Sequence, residues 1–356
     1  MIYLDANATD ILRPEARAAL ISAADLGGNA SSIHAAGRAA RRVLDDARLA
    51  VKTRLNAGAA EIVLTSGGTE ADALAIHALG RGRRLIIGAT EHDAVRASAK
   101  GAEILPVDAN GVADLDALRR LLEGPPALVC LMLANNETGT IQPVAEAARI
   151  CWGSGALMFV DAAQAPGRME VDFSAIGAHA MAISGHKLGA VPGVGALLLE
   201  PGIAPSPLIS GGGQERGWRG GTHALPAIAS LGAACCVPPS DLAPLRDTLE
   251  AGLPNAAVII SRDVARLPNT SCLALPGVSA QVQVMNLDLA GIAVSAGAAC
   301  SSGKVTRSHV LDAMGLTDFS ACAIRVSLPW NATLDDVHAF QTAYGKMAQR
   351  LCGSTS

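Results

Sequence analysis

Short apolar runs alternate with segments of helical periodicity along the first 200 residues. The runs predict strands at residues 61–65, 84–88, 127–132, 156–160, 180–183 and 195–199. Helical patterns lie between several of these runs, at residues 36–55, 69–79, 114–122 and 143–151. Strands that are apolar on both faces and separated by helices are typical of a mostly parallel sheet covered by helices.

The pattern changes at residues 237–240, where the sequence reads Val-Pro-Pro-Ser. A helix does not continue through two prolines, so we expect a domain boundary there. Beyond it, strands are predicted at residues 257–261, 270–274, 292–295 and 324–328, and helices at 241–251, 282–287 and 335–352. This mixture predicts a smaller α+β domain after the larger α/β one.

Composition excludes several classes of function. Hydrophobic residues make up 50% of the chain and charged residues 17%, which indicates a folded core rather than disorder. The net charge of −4 and the 3% aromatic content argue against nucleic acid as a partner. No apolar run reaches the roughly 18–20 residues of a membrane span, and the first residues lack a signal-peptide pattern. We therefore expect a cytoplasmic protein without a membrane partner.

The eight cysteines are scattered and form no CxxC pair. This spacing argues against a zinc site, so no metal site is predicted. In a chain of this size without a secretion signal, free thiols in a reducing compartment are expected.

A glycine-rich turn with the sequence Ser-Gly-Gly-Thr-Glu follows the strand at residues 61–65 and opens a helix. Gly67 and Gly68 would allow the backbone to approach an anion closely, and the new helix offers free N–H groups. The Thr69 hydroxyl adds a donor. The turn lacks the lysine of a nucleotide P-loop and the spacing of a dinucleotide fingerprint. A phosphate cradle and a plain tight connection are both compatible with it.

Two charged residues follow other buried strands. Lys187 ends the segment Ser-Gly-His-Lys and is one of only five lysines among 28 basic residues. It is either a surface lysine or a Schiff-base lysine whose pKa is lowered by desolvation. Asp161 precedes it by 26 residues, the length of one crossover, and needs a cationic partner if buried. That partner is either an arginine or a protonated pyridine nitrogen, so the two residues and the turn together suggest a pyridoxal phosphate site.

The chain resembles the class V aminotransferase-type pyridoxal phosphate enzymes, and within them the NifS/IscS-type cysteine desulfurases. The resemblance extends over nearly the whole chain, on motifs at residues 3–9, 28–34, 65–70, 90–92, 134–140, 161–164, 184–187, 211–216, 295–302 and 324–328. It implies the pyridoxal phosphate fold type I, with a large cofactor domain at residues 14–238. Residues 1–13 and 239–356 would form the small domain, which carries a catalytic cysteine loop.

The resemblance also implies roles for individual residues. Lys187 would bind the cofactor covalently, Asp161 would keep the pyridine nitrogen protonated, and Gln164 would hydrogen-bond the phenolic oxygen. His92 would stack on the ring and shuttle protons, unless it is a histidine paired to backbone. The groups that would hold the phosphate are Gly68, Thr69, Ser184 and His186. Thr222 would reach the phosphate of a neighbouring subunit, which implies a homodimer.

Substrate and sulfur chemistry are assigned in the same way. Asn136 and Arg325 would position the L-cysteine substrate, the alternative for Arg325 being a structural ion pair. Cys300, in a run of small residues, would attack the substrate sulfur and carry it as a persulfide to a sulfur-acceptor protein. An inert thiol is the alternative. Cys300 could also ligate an iron–sulfur cluster transiently during transfer. Its spacing of eight residues to Ser308 resembles the long-loop group of desulfurases.

The expected activity is a cysteine desulfurase that converts L-cysteine to L-alanine and serves iron–sulfur cluster assembly or thiolation. Three alternatives remain: a class V aminotransferase, which would not need Cys300, a selenocysteine lyase, which would use the same residues, and a scaffold without turnover. The chain departs from the family pattern in a short region at 233–255, in Gly220–Gly221 and in Ala298. The glycine and alanine changes remove no catalytic group. The sequence also ends soon after Cys352, so we expect a docking segment for a scaffold protein to be short or absent, which leaves the sulfur acceptor open.

Overall fold

Apolar strands and amphipathic helices alternate in the computed structural model, which describes residues 1–297 and 307–353. The strands are β1 Ile2–Tyr3, β2 Glu61–Thr65, β3 Arg84–Gly88, β4 Glu103–Leu105, β5 Ala127–Cys130, β6 Leu157–Asp161, β7 Ala180–Ser184, β8 Gly195–Leu199, β9 Val258–Ile260, β10 Thr270–Ala274, β11 Ile292–Ala293, β12 Ser295–Ala296 and β13 Ala323–Ser327. The helices are α1 Pro14–Asp25, α2 Ala35–Arg54, α3 Gly68–Leu79, α4 Asp93–Ser98, α5 Leu115–Leu121, α6 Val144–Ser154, α7 Phe173–Ile176, α8 Leu225–Cys235, α9 Ala243–Ala251, α10 Ala280–Leu289, α11 His309–Ala313 and α12 Leu334–Cys352.

The larger sheet has seven strands in the order β2-β8-β7-β6-β5-β3-β4. Neighbours from β7 to β4 are parallel, whereas β8 runs antiparallel to both β7 and β2. The prediction of a mostly parallel sheet is thus confirmed. The antiparallel strand is β8, which returns to the sheet only ten residues after β7, too soon for a helical crossover.

Both faces of this sheet are apolar, and helices cover both of them. Alternate strand residues enter two separate apolar clusters, with Val129 and Val160 in one and Leu128 and Phe159 in the other. Helix α2 contributes a buried stripe to the first cluster, made of Ala40, Leu44, Ala47 and Val51. Their spacing of three or four residues places them on one helix face.

The second sheet is antiparallel, in the order β12-β13-β10-β9, and has its own apolar core packed against α9, α10 and α12. The predicted strand at residues 292–295 is two short strands: β11 pairs with the N-terminal β1, and β12 pairs with β13. Helix α8 ends at Cys235, just before the two prolines. The exact division into residues 14–238 and the remainder stays a prediction.

Within residues 1–297 and 307–353, none of the helices combines the length and the apolar character needed to cross a bilayer.

Candidate active site

The carboxyl ends of β2, β6 and β7 meet at one edge of the larger sheet. Although β8 lies between β2 and β7, its two antiparallel pairings leave β2 and β7 pointing the same way. A cavity of about 690 Å³ opens at this edge. It is lined by predicted site residues, namely Gly68, Thr69, His92, Asn136, Asp161, Gln164, Ser184, His186, Lys187 and Arg325. Carboxyl ends of parallel strands are the usual position of ligand sites in such sheets.

Lys187 ends a single 3₁₀ turn, Gly185–Lys187, that follows β7 directly. Its Nζ atom donates a hydrogen bond of 2.9 Å to the backbone carbonyl of Asn7. Burial, together with the nearby charges of Arg325 and Arg168, lowers the pKa of Lys187 to about 7. A substantial fraction of this amine is therefore neutral near pH 7, as a nucleophile or proton acceptor requires.

Asp161 is the last residue of β6 and pairs in register with Ala182 of β7. It is 6% exposed, and its Oδ1 accepts a hydrogen bond of 2.8 Å from the N–H of Ala163. The crossover predicted from the 26-residue spacing thus places Asp161 at the end of β6 and Lys187 just after the adjacent β7, and both line the same cavity. A second acid, Asp72 of α3, also lines this cavity.

Asp72 was not identified from the sequence. It is 2% exposed, and its Oδ1 has no hydrogen-bond partner among the described residues. Burial and the charges of Asp161 and Glu91 raise the pKa of Asp72 well above its usual range. A buried polar atom without a protein partner, facing a cavity, is a position for a ligand or water.

The glycine-rich turn closes one end of the cavity. Thr65 Oγ1 donates to the carbonyl of Gly67 at 2.9 Å, and Ser66 N–H donates to Glu70 Oε2 at 2.8 Å. The turn lies directly against β8, since a Cβ at Gly195 would be 2.6 Å from the Gly67 carbonyl carbon. Helix α3 begins at Gly68, so its first N–H groups are available to an anion in the cavity.

Ser184, the last residue of β7, and His186, in the turn that follows, line the same cavity beside the start of α3. A Cβ at Gly68 would be 3.2 Å from Ser184 Cβ, which places the two groups side by side. His186 Nδ1 lies 3.0 Å from Thr9 Oγ1. Burial lowers the pKa of His186 to about 4, so this ring is neutral at pH 7 and offers hydrogen bonds rather than a charge.

His92 caps α4 through its ring. Its Nδ1 accepts a hydrogen bond of 3.1 Å from the N–H of Ala94, so in the neutral ring the proton lies on Nε2. Burial lowers the pKa of His92, which favours that neutral form. The ring is thus held by its own helix and lines the cavity with a protonated nitrogen available.

Arg325, in β13 of the smaller sheet, has both an ion pair and a place in the cavity. Its Nη2 lies 2.6 Å from Asp5 Oδ1, and its Nη1 donates to the carbonyl of Asn136 at 3.1 Å. Its Nε is buried and has no partner among the described residues. The structural ion pair and the substrate role considered for Arg325 are therefore compatible.

Gln164 is oriented by neighbours that sequence reasoning did not single out. Its Oε1 accepts from Arg168 Nη1 at 2.7 Å, and its Nε2 donates to the Asn7 carbonyl at 3.1 Å. That carbonyl also receives Lys187, so Asn7 contacts two site residues at once. The motif at residues 3–9 was the available signal for Asn7, but no role followed from its residue types.

Two predicted residues lie outside this arrangement. Thr222 is exposed and does not line the cavity of its own chain. Arg219, three residues earlier, pairs with Glu70 of α3 at 2.8 Å. Cys300 lies outside the described residues, so its position relative to Lys187 stays a prediction.

The chain is similar to known proteins along most of its length. The family model described as Aminotransferase class-V matches residues 2–340. The chain belongs to the class-V aminotransferase family. A cysteine desulfurase of Cereibacter sphaeroides is 43% identical, covering 92% of this chain and 90% of the relative. An IscS-like cysteine desulfurase of Mycobacterium tuberculosis is 37% identical, covering 95% and 94%.

Similarity to solved structures indicates which kind of class-V aminotransferase this chain resembles. A NifS-like protein from Rickettsia africae superposes with a TM-score of 0.91 at 33% identity, covering 98% of this chain and 99% of that one. The expected fold type I is thereby confirmed. The chain is an enzyme of the cysteine desulfurase type, as the resemblance implied.

Proposed function

We propose that this class-V enzyme uses pyridoxal phosphate to convert L-cysteine to L-alanine and carries the sulfur as a persulfide on Cys300. The observation that supports the proposal most directly is the convergence of a lysine of lowered pKa, a buried aspartate and a glycine-rich helix start on one cavity. The family relationship supplies the substrate class.

The described residues fit pyridoxal phosphate. The cavity of about 690 Å³ lies within the roughly 300–1,000 Å³ range of small-molecule sites. The start of α3 with Gly68, Thr69, Ser184 and His186 would hold the phosphate. Asp161 would pair with the pyridine nitrogen, and Gln164 would hydrogen-bond the ring oxygen. His92 would lie against the ring face.

When bound, pyridoxal phosphate supplies a conjugated ring that takes up the negative charge developing at the substrate Cα. Asp161 would keep the proton on the pyridine nitrogen, which would make that uptake favourable. Lys187 would hold the cofactor covalently, and its Nζ would accept the Cα proton of the substrate. Arg325 and Asn136 orient the substrate carboxylate so that this proton faces the lysine.

The sulfur step uses the thiolate of Cys300. The thiolate attacks the substrate sulfur, an S–S bond forms, and the C–S bond breaks with its electron pair remaining on Cβ. Cβ then takes a proton and becomes the methyl group of L-alanine. His92, with its proton on Nε2, would exchange protons during this step. The Cys300 persulfide finally passes its outer sulfur to an acceptor thiol.

Assembly and destination form part of the same proposal. Thr222 is exposed and outside its own cavity, as expected for a residue that reaches the phosphate of a partner subunit. We therefore propose a homodimer in the cytoplasm that donates sulfur to an acceptor protein for iron–sulfur clusters or thiolation. Sedimentation should give a dimer, and a fully active monomer would contradict the shared site.

The test of the reaction is incubation with L-cysteine, with and without reductant. We expect L-alanine and sulfide in equal amounts with reductant, and a persulfide on Cys300 without it. Formation of a keto acid instead of alanine would favour the aminotransferase. Comparison with L-selenocysteine separates the lyase alternative, which the same residues could support.

A further inference from the structure

A buried carboxylate outside the catalytic set, Glu137, lies where the described chain stops and resumes around Cys300. Glu137 is 2% exposed and belongs to a turn that Asn135 holds closed. The Asn135 Oδ1 accepts the N–H groups of Glu137 at 2.8 Å and of Thr138 at 2.9 Å. This turn is therefore a fixed support rather than a surface loop.

Both flanks of the Cys300 segment meet the same oxygen of this carboxylate. On the far side, Ser308 Oγ donates to Glu137 Oε2 at 2.6 Å, and the same hydroxyl caps α11 by accepting from Leu311 N–H at 3.1 Å. On the near side, a Cβ at Gly297 would lie 2.7 Å from Glu137 Oε2. A side chain at Gly297 would therefore have to displace the carboxylate, so the near flank lies directly against Glu137.

The other side of the turn faces the substrate position. The carbonyl of Asn136, the residue before Glu137, accepts hydrogen bonds from Arg325 Nη1 and Asn7 Nδ2, each at 3.1 Å. One turn thus contacts the arginine expected to bind the substrate carboxylate and the two flanks of the segment that carries the expected nucleophile. Burial raises the pKa of Glu137, while the hydrogen bond from Ser308 and the charge of Arg325 oppose that shift.

We propose that Glu137 is a positioning residue that holds the far flank of the Cys300 segment through Ser308 and packs against the near flank at Gly297. This inference rests on the proposed function, because it assigns Glu137 a task in the sulfur step only. Holding one flank of a chain segment in place restricts where the segment can reach, which is how a support away from the reacting atoms affects a rate. Cofactor binding and proton removal by Lys187 should not depend on it.

The chain offers a matched control for this contact. Ser271 Oγ donates to Glu250 Oε1, also at 2.6 Å, and both residues are buried. Neither of them lines the active-site cavity. Ser308→Ala and Ser271→Ala therefore remove the same chemical interaction at two places, of which only one adjoins the Cys300 segment.

The experiment uses the holoenzyme mixed rapidly with saturating L-cysteine. It records the absorbance change of the cofactor on substrate binding, and the rate at which persulfide appears on Cys300 by mass spectrometry of quenched samples. We expect Ser308→Ala and Glu137→Gln to slow persulfide formation about tenfold with an unchanged absorbance step, the loss expected for a hydrogen bond to a charged group. Ser271→Ala should leave both rates unchanged. The double variant Ser308→Ala/Glu137→Gln should form the persulfide no more slowly than Glu137→Gln alone, because both substitutions remove the same contact.

Three results would overturn the inference: persulfide formation at the wild-type rate in folded Ser308→Ala, equal slowing in Ser271→Ala, or slowing of the absorbance step by the same factor. Thermal unfolding of each variant establishes that it is folded, and Glu137→Gln provides a second variant of similar volume. If the wild-type enzyme itself forms no persulfide on Cys300, the proposed function fails. This outcome is distinguishable from failure of the inference, because it is measured on the wild type alone.

Discussion

Placing Lys187 in the cavity should destabilise the cofactor-free protein. A fall in its pKa from 10.5 to about 7 means that the native state disfavours the charged amine by roughly 5 kcal/mol relative to the unfolded state. Water in the cavity reduces this energetic cost of the charged amine. The hydrogen bond from Lys187 to the Asn7 carbonyl offsets about 1 kcal/mol more of it. We therefore expect Lys187→Met, which keeps most of the side-chain volume, to raise the free energy of unfolding at pH 7 by about 2–3 kcal/mol.

The pH dependence identifies the cause. Between pH 7 and 10.5 the unfolded chain keeps the proton on this lysine while the native state has released it, so wild-type stability rises with pH in that window. Below pH 7 both states are protonated and the full penalty is present. The advantage of Lys187→Met should therefore shrink by about 2 kcal/mol between pH 7 and pH 9, because each unit is about 1.4 kcal/mol at most.

The assay is denaturant unfolding of cofactor-free wild type and variant at both pH values. Lys346→Met is the matched control, since Lys346 is exposed on α12, and its effect should be within about 0.5 kcal/mol at either pH. The reasoning is refuted if Lys187→Met is less stable than wild type at pH 7. It is also refuted if the difference between them does not depend on pH.

Three further predictions concern the cofactor, the nucleophile and the phosphate cradle. Purified protein should be yellow, and borohydride should fix the cofactor on the peptide that carries the active-site lysine; a label on another peptide would contradict the site. Sulfide production should fall by orders of magnitude in Cys300→Ala. Cys272→Ala, at a 1% exposed position in β10, should keep its activity and lose about 1 kcal/mol of stability. A persulfide on another cysteine would refute the assignment of the nucleophile to Cys300. Gly195→Ala should weaken cofactor affinity and destabilise the fold by about 2 kcal/mol or more, because its Cβ would lie 2.6 Å from the Gly67 carbonyl carbon. Gly153→Ala is the control and should have neither effect, since a Cβ at Gly153 would have no atom within 4 Å. Equal effects of the two variants on cofactor binding would show that the close contact is unimportant.

Residues whose position follows from local pattern could be predicted from the sequence. Asp161 ends one buried strand and Lys187 ends the short turn after the next, so the direction of the sheet brings them to one edge. Asn7 could not be found in this way, since its partners Thr270 and Ser327 lie 263 and 320 residues away. Asp72 left a weak signal, an acid within the apolar helix α3, but its facing the cavity depends on how that helix packs on the sheet.

The residues that open the chain connect the two sheets at the active site. Asp5 pairs with Arg325 of β13, and the Asn7 side chain donates to Thr270 of β10, both in the smaller sheet. The same short segment receives Lys187 at the Asn7 carbonyl and contacts His186 through Thr9, beside the larger sheet. The amine that would hold the cofactor and the guanidinium that would hold the substrate are therefore fixed by neighbouring residues of one peptide segment. Because these buried polar groups lose their partners if the sheets separate, the contact between the sheets and the geometry of the site should be lost together.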